Sequence, residues 1–132
     1  AAFIDSNDLL NASKFFTKST NDFPLLSISA YSVPIEWAFR LKETNILEPN
    51  DRSKLLKRSQ DLEEHYFDTG SFAFFTKKYV LATMDAGIEA AYNGFIIEKY
   101  KAFDIDNLDD WNYAEYLMYG LKNMKKIDNK VL

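Results

Sequence analysis

A short extended run that passes directly into a long helix places the strongest constraint on how this chain folds. In residues 103–106, apolar Phe103 and Ile105 alternate with Asp104 and Asp106, so the two carboxylates of a strand there point to one face. Asn107 then predicts an N-cap, because its side chain can accept from the first-turn amides. The following helix is predicted to bury one face, since apolar residues recur at helical spacing at Trp111, Ala114, Leu117, Met118 and Leu121.

The Asp104–Asp106 pair suits a hydrated Mg²⁺. Two hard carboxylates at a strand end are ligands for a Mg²⁺ ion that also holds substrate phosphate. Helix capping is the alternative explanation, because Asp and Asn are common where a helix begins. A calcium loop of the EF-hand type fits poorly, since Asp109 stands at the sixth position, where that loop needs Gly.

The rest of the chain alternates extended and helical segments. Apolar runs without a helical period predict strands, and capped amphipathic runs predict helices. The β-α-β order, interrupted by one excursion, favours an α/β sandwich with a largely parallel sheet. The predicted elements are strands at 1–4, 25–31, 35–41, 71–75 and 95–97, a helix at 6–19 capped by Ser6, a helix or loop at 76–84, and turns at 68–70 and 93–94.

Residues 33–57 read as the excursion, a small inserted arm. Pro34 ends the preceding strand, because proline cannot donate to a central ladder. Apolar and polar residues alternate after Pro34, and this alternation predicts a half-exposed strand that turns back at residues 43–45. Trp37 and Phe39 then either need a partner or pack on their own domain, and the sequence leaves both open. A basic cluster lies at the end of the arm and on the residue that follows it, and it is either a solvated face or an anion-binding surface: Arg52, Lys54, Lys57 and Arg58.

Length and composition set bounds on function. The 132 residues are enough for one domain, and 47% hydrophobic residues argue against disorder. A net charge of −4 gives no electrostatic footprint for nucleic acid. No apolar run is long enough to cross a membrane. The absence of cysteine excludes disulfides and fits a reducing compartment, so a cytoplasmic location is expected.

Several familiar catalytic motifs are missing. His65 is the only histidine, which excludes a His-rich zinc site, and a lone His beside aromatics is usually structural. The sequence has no GxSxG elbow, no GxGxxG loop and no GxxxxGK[ST] loop. A chain that bound a nucleotide by itself should contain a phosphate-binding loop. The abrupt start at Ala1 also predicts that further sequence precedes it.

Several stretches, taken in chain order, resemble the CMP-nonulosonate cytidylyltransferases, which are related to the CMP-N-acetylneuraminic acid synthetases. The likeness is greatest to the pseudaminic acid branch. Residues 58–63 and 68–72 resemble its RSQDLE…DAGQF signature, and residues 104–115 resemble its DIDT-x-EDW…AE signature. Residues 1–9 and 27–39 resemble its TAPFI…EDL and SV…PIQRAF stretches. Each piece is weak alone, but the ordered set is fairly specific.

The resemblance implies a fold and a reaction. The fold is the C-terminal part of a Rossmann-like sandwich of the nucleotide-diphospho-sugar transferases, here one partial domain over residues 1–132. Residues 33–57 would be a dimerisation arm, so a homodimer is expected. The reaction joins CTP to a pseudaminic or sialic-acid-like nonulosonic acid and gives a CMP-sugar and pyrophosphate.

The resemblance also assigns site residues. Asp104 and Asp106 match the family's catalytic, Mg²⁺-binding pair. The substrate-binding positions that match are two near the sugar and two on the sugar-facing strand: Arg58, Gln60, Ser71 and Phe72.

This sequence departs from the family pattern in three places. Asn107 replaces the usual Thr, and residues 71–74 read Ser-Phe-Ala-Phe instead of Gln-Phe-Tyr-Trp, which leaves the sugar undetermined. The family's PAR-x-GSK nucleotide loop is absent, so the chain is expected to be nearly inactive alone. A non-catalytic binding or dimerisation module, or a transferase for another base or sugar, are the alternatives.

Overall fold

A computed structural model describes residues 3–83 and 91–128 of the chain. In chain order the elements are α1 (Ser6–Thr17), β1 (Leu25–Ala30), β2 (Phe39–Leu41), β3 (Leu47–Pro49), β4 (Tyr66–Phe74), α2 (Lys77–Thr83), β5 (Asn93–Ile96) and α3 (Leu108–Asp128). Short 3₁₀ turns lie at Ile35–Trp37 and Ser59–Asp61. No helix in the described part is long and apolar enough to span a bilayer.

A three-stranded mixed sheet forms the centre, with the order β4-β1-β5. Strand β1 pairs in parallel with β5 and antiparallel with β4. The predicted α/β class is therefore confirmed, whereas the predicted largely parallel sheet is wrong for the described strands. The α2 crossover between β4 and β5 does not make these two strands neighbours, because β1 lies between them. The Rossmann-like detail stays a prediction.

Helix α1 packs on one face of this sheet through aromatic side chains. Phe15 meets Phe95 of β5, and Phe16 meets Phe74 of β4, each with ring centroids 5.9 Å apart. The helix begins in a capping box in which the Asp5 side chain accepts from Asp8 N and the Asp8 side chain accepts from Asp5 N. The prediction of Ser6 as the N-cap is therefore wrong by one residue, and Ser6 is the first helical residue.

A bulge interrupts β4 where the sequence predicted a turn at residues 68–70. Leu26 pairs with Ala73 and Ile28 with Asp68, so several residues of β4 lie opposite Ser27 alone. Gly70 adopts a φ of 64°, a conformation that glycine takes without strain. The buried Ser27 hydroxyl fills the gap, since it accepts from Phe72 N at 3.1 Å. The strand therefore continues through the supposed turn.

The Asn93-Gly94 pair was also predicted as a turn, and this prediction is wrong. Both residues belong to β5, and Asn93 N donates to Pro24 O at 2.7 Å. The Asn93 side chain donates to Phe23 O at 2.9 Å. A Cβ at Gly94 would lie only 2.4 Å from Ile28 Cδ1. Glycine therefore stands here because the Ile28 side chain packs against the strand.

Replacing Gly94 with alanine is expected to lower the free energy of unfolding by about 1 kcal/mol, at the low end for overpacking, because the new methyl group displaces only the terminal Cδ1 atom of the half-buried Ile28 side chain. Urea unfolding measures the change. In an Ile28→Val background, which lacks the Cδ1 atom, most of this cost should disappear. An equal cost in both backgrounds would show that the Ile28 contact is not its cause.

Strands β2 and β3 form a separate two-stranded hairpin within residues 33–57. It turns at Asn45, whose φ of 59° lies in the left-handed region that Asn tolerates. Residues 35–37 form a 3₁₀ turn after Pro34, so the predicted strand from residue 35 begins only at Phe39. Leu41 remains 66% exposed on the hairpin. The role of this arm in dimerisation stays a prediction.

The two ends of the described chain depart from the predicted pattern. Phe3 and Ile4 are not in a strand, and residues 1–2 of that predicted strand lie outside the described residues, as does Met84 of the predicted helix or loop. On α3 only part of the predicted face is covered, because Ala114 is 8% exposed but Trp111 is 54% exposed. The helix therefore buries a narrower stripe than its sequence pattern indicates.

Candidate active site

The carboxyl ends of β1 and β5 open onto a crevice. Two adjoining pockets of ≈ 290 and ≈ 350 Å³ lie there, and Ser32, just after β1, and Lys99, just after β5, line both. Ligands of open α/β sheets bind outside the carboxyl ends of the strands. Sequence reasoning missed Ser32 and Lys99, and their only signal was their position directly after two apolar runs.

The segment that carries Arg58 and Gln60 forms one wall of this crevice. Ser59 and His65 line the smaller pocket, whereas Arg58 and Gln60 are exposed and are not among the described residues that line it. Arg58 instead forms a two-point ion pair, with Nε 3.0 Å from Asp61 Oδ2 and Nη2 3.4 Å from Asp61 Oδ1. A guanidinium held this way stands next to the crevice, and an anion would have to compete with Asp61 for it.

Asp104 and Asp106 lie in an extended segment that is not a strand. The last strand, β5, ends at Ile96, and residues 103–106 follow a turn, so the predicted strand-helix junction is wrong in this respect. The side chains nevertheless alternate, with both Asp carboxylates exposed and Phe103 and Ile105 half-buried. Phe103 lines the larger crevice pocket, but Asp104 and Asp106 are not among the residues that line either pocket, so the structure places this segment near the crevice without placing the two carboxylates in it.

Asn107 caps α3, as its sequence position predicts. Its Oδ1 accepts from Asp110 N at 3.0 Å, and Asp110 Oδ2 accepts from Asn107 N at 3.1 Å. Asp110 Oδ2 also accepts from Asp106 N at 3.0 Å. This reciprocal box fixes the backbone of the acidic segment against the first turn of the helix.

The donor chemistry of the acidic pair suits a Mg²⁺ ion. Among the described residues, no group of three or more His, Cys, Asp or Glu side chains converges as a complete metal cage. Mg²⁺ does not need such a cage, because it keeps several waters and is bound by one or two carboxylates together with substrate phosphates. The exposed carboxylates of Asp104 and Asp106 fit this open mode of binding.

A buried lysine anchors the segment that leads to the acidic pair. Lys101 is 8% exposed, and its ammonium lies 2.7 Å from Asp8 of α1 and 3.2 Å from Glu98. Hydrogen bonding to Asp8 raises the pKa of Lys101 well above its usual range, against the opposing effect of burial. Burial acts to raise the pKa of Asp8, but hydrogen bonds from Asp5 N and Lys101 outweigh it and leave that pKa lowered. Both groups are therefore charged at neutral pH.

Ser71 and Phe72 lie on β4, beside the bulge. The Phe72 ring packs 5.6 Å from Phe74 and 6.1 Å from Phe95, within the aromatic cluster under α1. Ser71 N lies 3.4 Å from Thr69 Oγ1. These contacts give Ser71 and Phe72 a role in the structure of β4. A role of either residue toward a substrate stays a prediction.

Comparison with known proteins finds two relatives over most of the chain. Over 117 residues, 89% of this chain, it is 31% identical to a pseudaminic acid cytidylyltransferase of Campylobacter jejuni strain 81-176. It is 30% identical over the same length to the enzyme of that name from strain NCTC 11168. This chain is related to the pseudaminic acid cytidylyltransferases. The resemblance predicted from its motifs is therefore confirmed.

The match covers only part of each of the two relatives. The chain spans about half the length of the two pseudaminic acid cytidylyltransferases, since the match covers 50% of each. No family model matches the sequence.

Proposed function

We propose that these residues form part of a cytidylyltransferase that activates a nonulosonic acid with CTP and releases pyrophosphate. The observation that carries this proposal is the identity of 31% over 117 residues to a pseudaminic acid cytidylyltransferase. The crevice at the carboxyl ends of β1 and β5 supports it, because substrates of α/β enzymes bind at such an edge. The exposed acidic pair, Asp104 and Asp106, supports the same reaction class, because two carboxylates suit a Mg²⁺ ion that also binds substrate phosphate.

In the proposed reaction the anomeric hydroxyl of the sugar attacks the α-phosphorus of CTP. The new bond joins the sugar oxygen to that phosphorus, and the bond to the bridging oxygen breaks so that pyrophosphate leaves. Bound at Asp104 and Asp106, Mg²⁺ would neutralise charge on the α-phosphate. The chain's contribution is to hold these carboxylates in place through the Asn107–Asp110 cap and the Lys101 anchor.

Lys99 and Arg58 are the cations that could bind the anionic substrates, while Glu63 and Glu64 also line the smaller pocket. Lys99 lines both pockets, and Arg58 stands at the edge of the wall formed by its neighbour Ser59. Arg58 would exchange Asp61 for the carboxylate of the sugar, a bidentate partner of the same kind. That exchange is feasible because exposed ion pairs contribute little to stability. The remaining predicted contacts, from Gln60, Ser71 and Phe72, belong to the same proposal.

The triphosphate has no evident binding loop in these residues, since the GxxxxGK[ST] and GxGxxG patterns are absent. The test therefore compares two polypeptides, this chain and a full-length cytidylyltransferase polypeptide that contains it. Pyrophosphate release from CTP, Mg²⁺ and pseudaminic acid is expected from the longer polypeptide and almost none from this chain alone. Failure of the longer polypeptide to release pyrophosphate with any nonulosonic acid would contradict the proposal.

A second candidate function is dimerisation without catalysis, and the exposed apolar surface of the hairpin favours it. Phe39, Leu41 and Leu47 all remain exposed on β2 and β3, as an interface awaiting a second copy would require. Sedimentation of the wild-type chain and of a Leu41→Glu variant tests the dimer. A charge at this position should shift a dimer to monomer, and a wild-type chain that sediments as a monomer would contradict this candidate function.

A further inference from the structure

His65 stands at the edge of the sheet where the crevice opens. Strand β4 runs antiparallel to β1, so the residue before β4 lies at the carboxyl end of β1. Tyr31 N, just after β1, donates to His65 O at 3.0 Å and extends the ladder by one residue. His65 is half-buried and lines the smaller crevice pocket together with Ser32 and Lys99. The only histidine of the chain is therefore held by the sheet at the edge where α/β enzymes bind their substrates.

The two ring nitrogens of His65 have different environments. Nδ1 lies 2.9 Å from Glu63 O, and because a backbone carbonyl can only accept a hydrogen bond, Nδ1 carries a proton. In the neutral imidazole the other nitrogen, Nε2, is then the acceptor and keeps its lone pair. No described residue is hydrogen-bonded to Nε2. The contact with Glu63 O therefore orients the ring and leaves its basic nitrogen available.

The proposed reaction needs a group that accepts a proton. The anomeric hydroxyl must lose its proton as its oxygen bonds to the α-phosphorus, and Asp104 and Asp106 are assigned to Mg²⁺ in that reaction. A general base works best when it changes protonation near the working pH, and histidine is the side chain that does so between about pH 5 and 8. With one histidine and no cysteine, the chain offers His65 alone as a side chain of this type.

Other charged side chains lie around His65, and each is less suited to this task. The Glu64 carboxylate is engaged, because the Tyr66 hydroxyl donates to its Oε2 at 2.6 Å. Glu63 is exposed, and an exposed glutamate is a weak base near neutral pH. A lysine ammonium group, such as that of Lys99, has no lone pair and can only donate.

His65 also lines an adjoining pocket of ≈ 660 Å³ at the base of the hairpin. The titratable or charged groups that line either pocket beside His65 are Tyr31, Glu36, Asp51, Lys54, Glu63, Glu64 and Lys99. A pH profile must therefore be assigned by substitution, and the variants below make that assignment.

We propose that His65 is the general base of the cytidylyl transfer, and that its Nε2 takes the proton of the anomeric hydroxyl as the sugar oxygen attacks the α-phosphorus. The bond from the sugar oxygen to phosphorus forms, the bond from phosphorus to the bridging oxygen breaks, and pyrophosphate leaves. Glu63 O accepts from Nδ1 in both the neutral and the protonated imidazole, so the ring keeps its orientation until the proton passes to solvent. This inference rests on the proposed function, because it assigns a role within that reaction.

His65→Asn is the variant that separates this role from a structural one. The Asn amide can still donate to Glu63 O in place of Nδ1, but it has no basic nitrogen. In the longer cytidylyltransferase polypeptide it should lower kcat at least about 100-fold and change the KM for the sugar less than about twofold. A histidine that served only to bind Glu63 O would tolerate this substitution.

The pH dependence of turnover gives the second readout. The parent polypeptide should lose activity as pH falls from about 8 to 5, because a protonated imidazole cannot accept a proton. The residual turnover of His65→Asn should lack this acid limb. Pyrophosphate release from CTP, Mg²⁺ and pseudaminic acid over that pH range is the assay.

The tautomer of His65 gives a third measurement, which needs no variant. Because the chain has one histidine, its imidazole nitrogens give a single pair of signals in ¹⁵N NMR. Nδ1 should be the protonated nitrogen and Nε2 the one that titrates. A neutral ring with its proton on Nε2 would leave that atom without a lone pair, and it would overturn the inference even where His65→Asn fails to fold.

Two kinetic results would also overturn the inference. One is normal turnover by His65→Asn beside an active parent, and the other is an acid limb that disappears in Glu63→Gln but persists in His65→Asn. Both leave the proposed function standing, since the parent polypeptide is active in each case. A parent that releases no pyrophosphate with any nonulosonic acid contradicts the proposed function itself, and the role of His65 with it.

Discussion

Replacing Lys101 with methionine is expected to lower the free energy of unfolding by about 2–3 kcal/mol, because it leaves the largely buried Asp8 carboxylate without its cation. Urea unfolding at neutral pH measures the loss. Lys78→Met is the matched control, since Lys78 also pairs with an aspartate, Asp22, but on the exposed surface. It should change the unfolding midpoint little.

The Lys101 effect should depend on pH with a defined sign. The pKa of Asp8 is lowered in the folded chain, so its contribution is present above the unfolded pKa of about 3.9 and is lost as pH falls through the folded value. The pKa of Lys101 is raised, so its contribution is present below about 10.4 and is lost only at higher pH. The difference between parent and variant should thus be constant near neutrality and shrink in acid. A difference that grew in acid would rule out this ion pair as its source.

Under the proposed function, replacing either Asp104 or Asp106 with asparagine in the longer cytidylyltransferase polypeptide is expected to lower its turnover at least about 100-fold. An amide oxygen carries no charge, so it binds Mg²⁺ and supports the α-phosphate more weakly than a carboxylate does. Pyrophosphate release measured over a range of Mg²⁺ concentrations is the assay. Part of the loss should be recovered at high Mg²⁺ if the defect lies in metal affinity.

Asp109→Asn provides the control for that experiment. Asp109 is an exposed acid in the first turn of α3, close in sequence to the pair. Its substitution should leave turnover close to that of the parent enzyme. Full turnover by both the Asp104 and the Asp106 variants would refute their assignment as the metal-binding pair.

Local sequence signals predicted the elements whose causes are local. Strand β1 follows from its apolar run, and the start of α3 follows from Asn107, whose side chain makes the predicted cap. The turn at Asn45 likewise needs only the tolerance of Asn for positive φ. Each of these features depends on residues within a few positions of one another, and such residues can be read along the chain.

The predictions that failed depended on contacts between distant residues. Gly94 looked like a turn residue, but it is a strand residue that leaves room for Ile28. Gly70 looked like a turn, but Ser27 of β1 stabilises a bulge there instead. The crevice was missed for the same reason. It is formed by segments that the sheet brings together, and no spacing along the sequence reports such a juxtaposition.

The Lys101–Asp8 pair also bears on the order of events in folding. The two residues are separated by 93 positions, so their contact closes most of the polypeptide into one large loop. The entropic cost of closing a loop rises only slowly with its length, and the β1–β5 pairing, in which Ser29 and Ile97 are separated by 68 positions, closes most of this loop already. Once the sheet has formed, the Lys101–Asp8 ion pair therefore has little further chain entropy to overcome, and it should mainly slow unfolding.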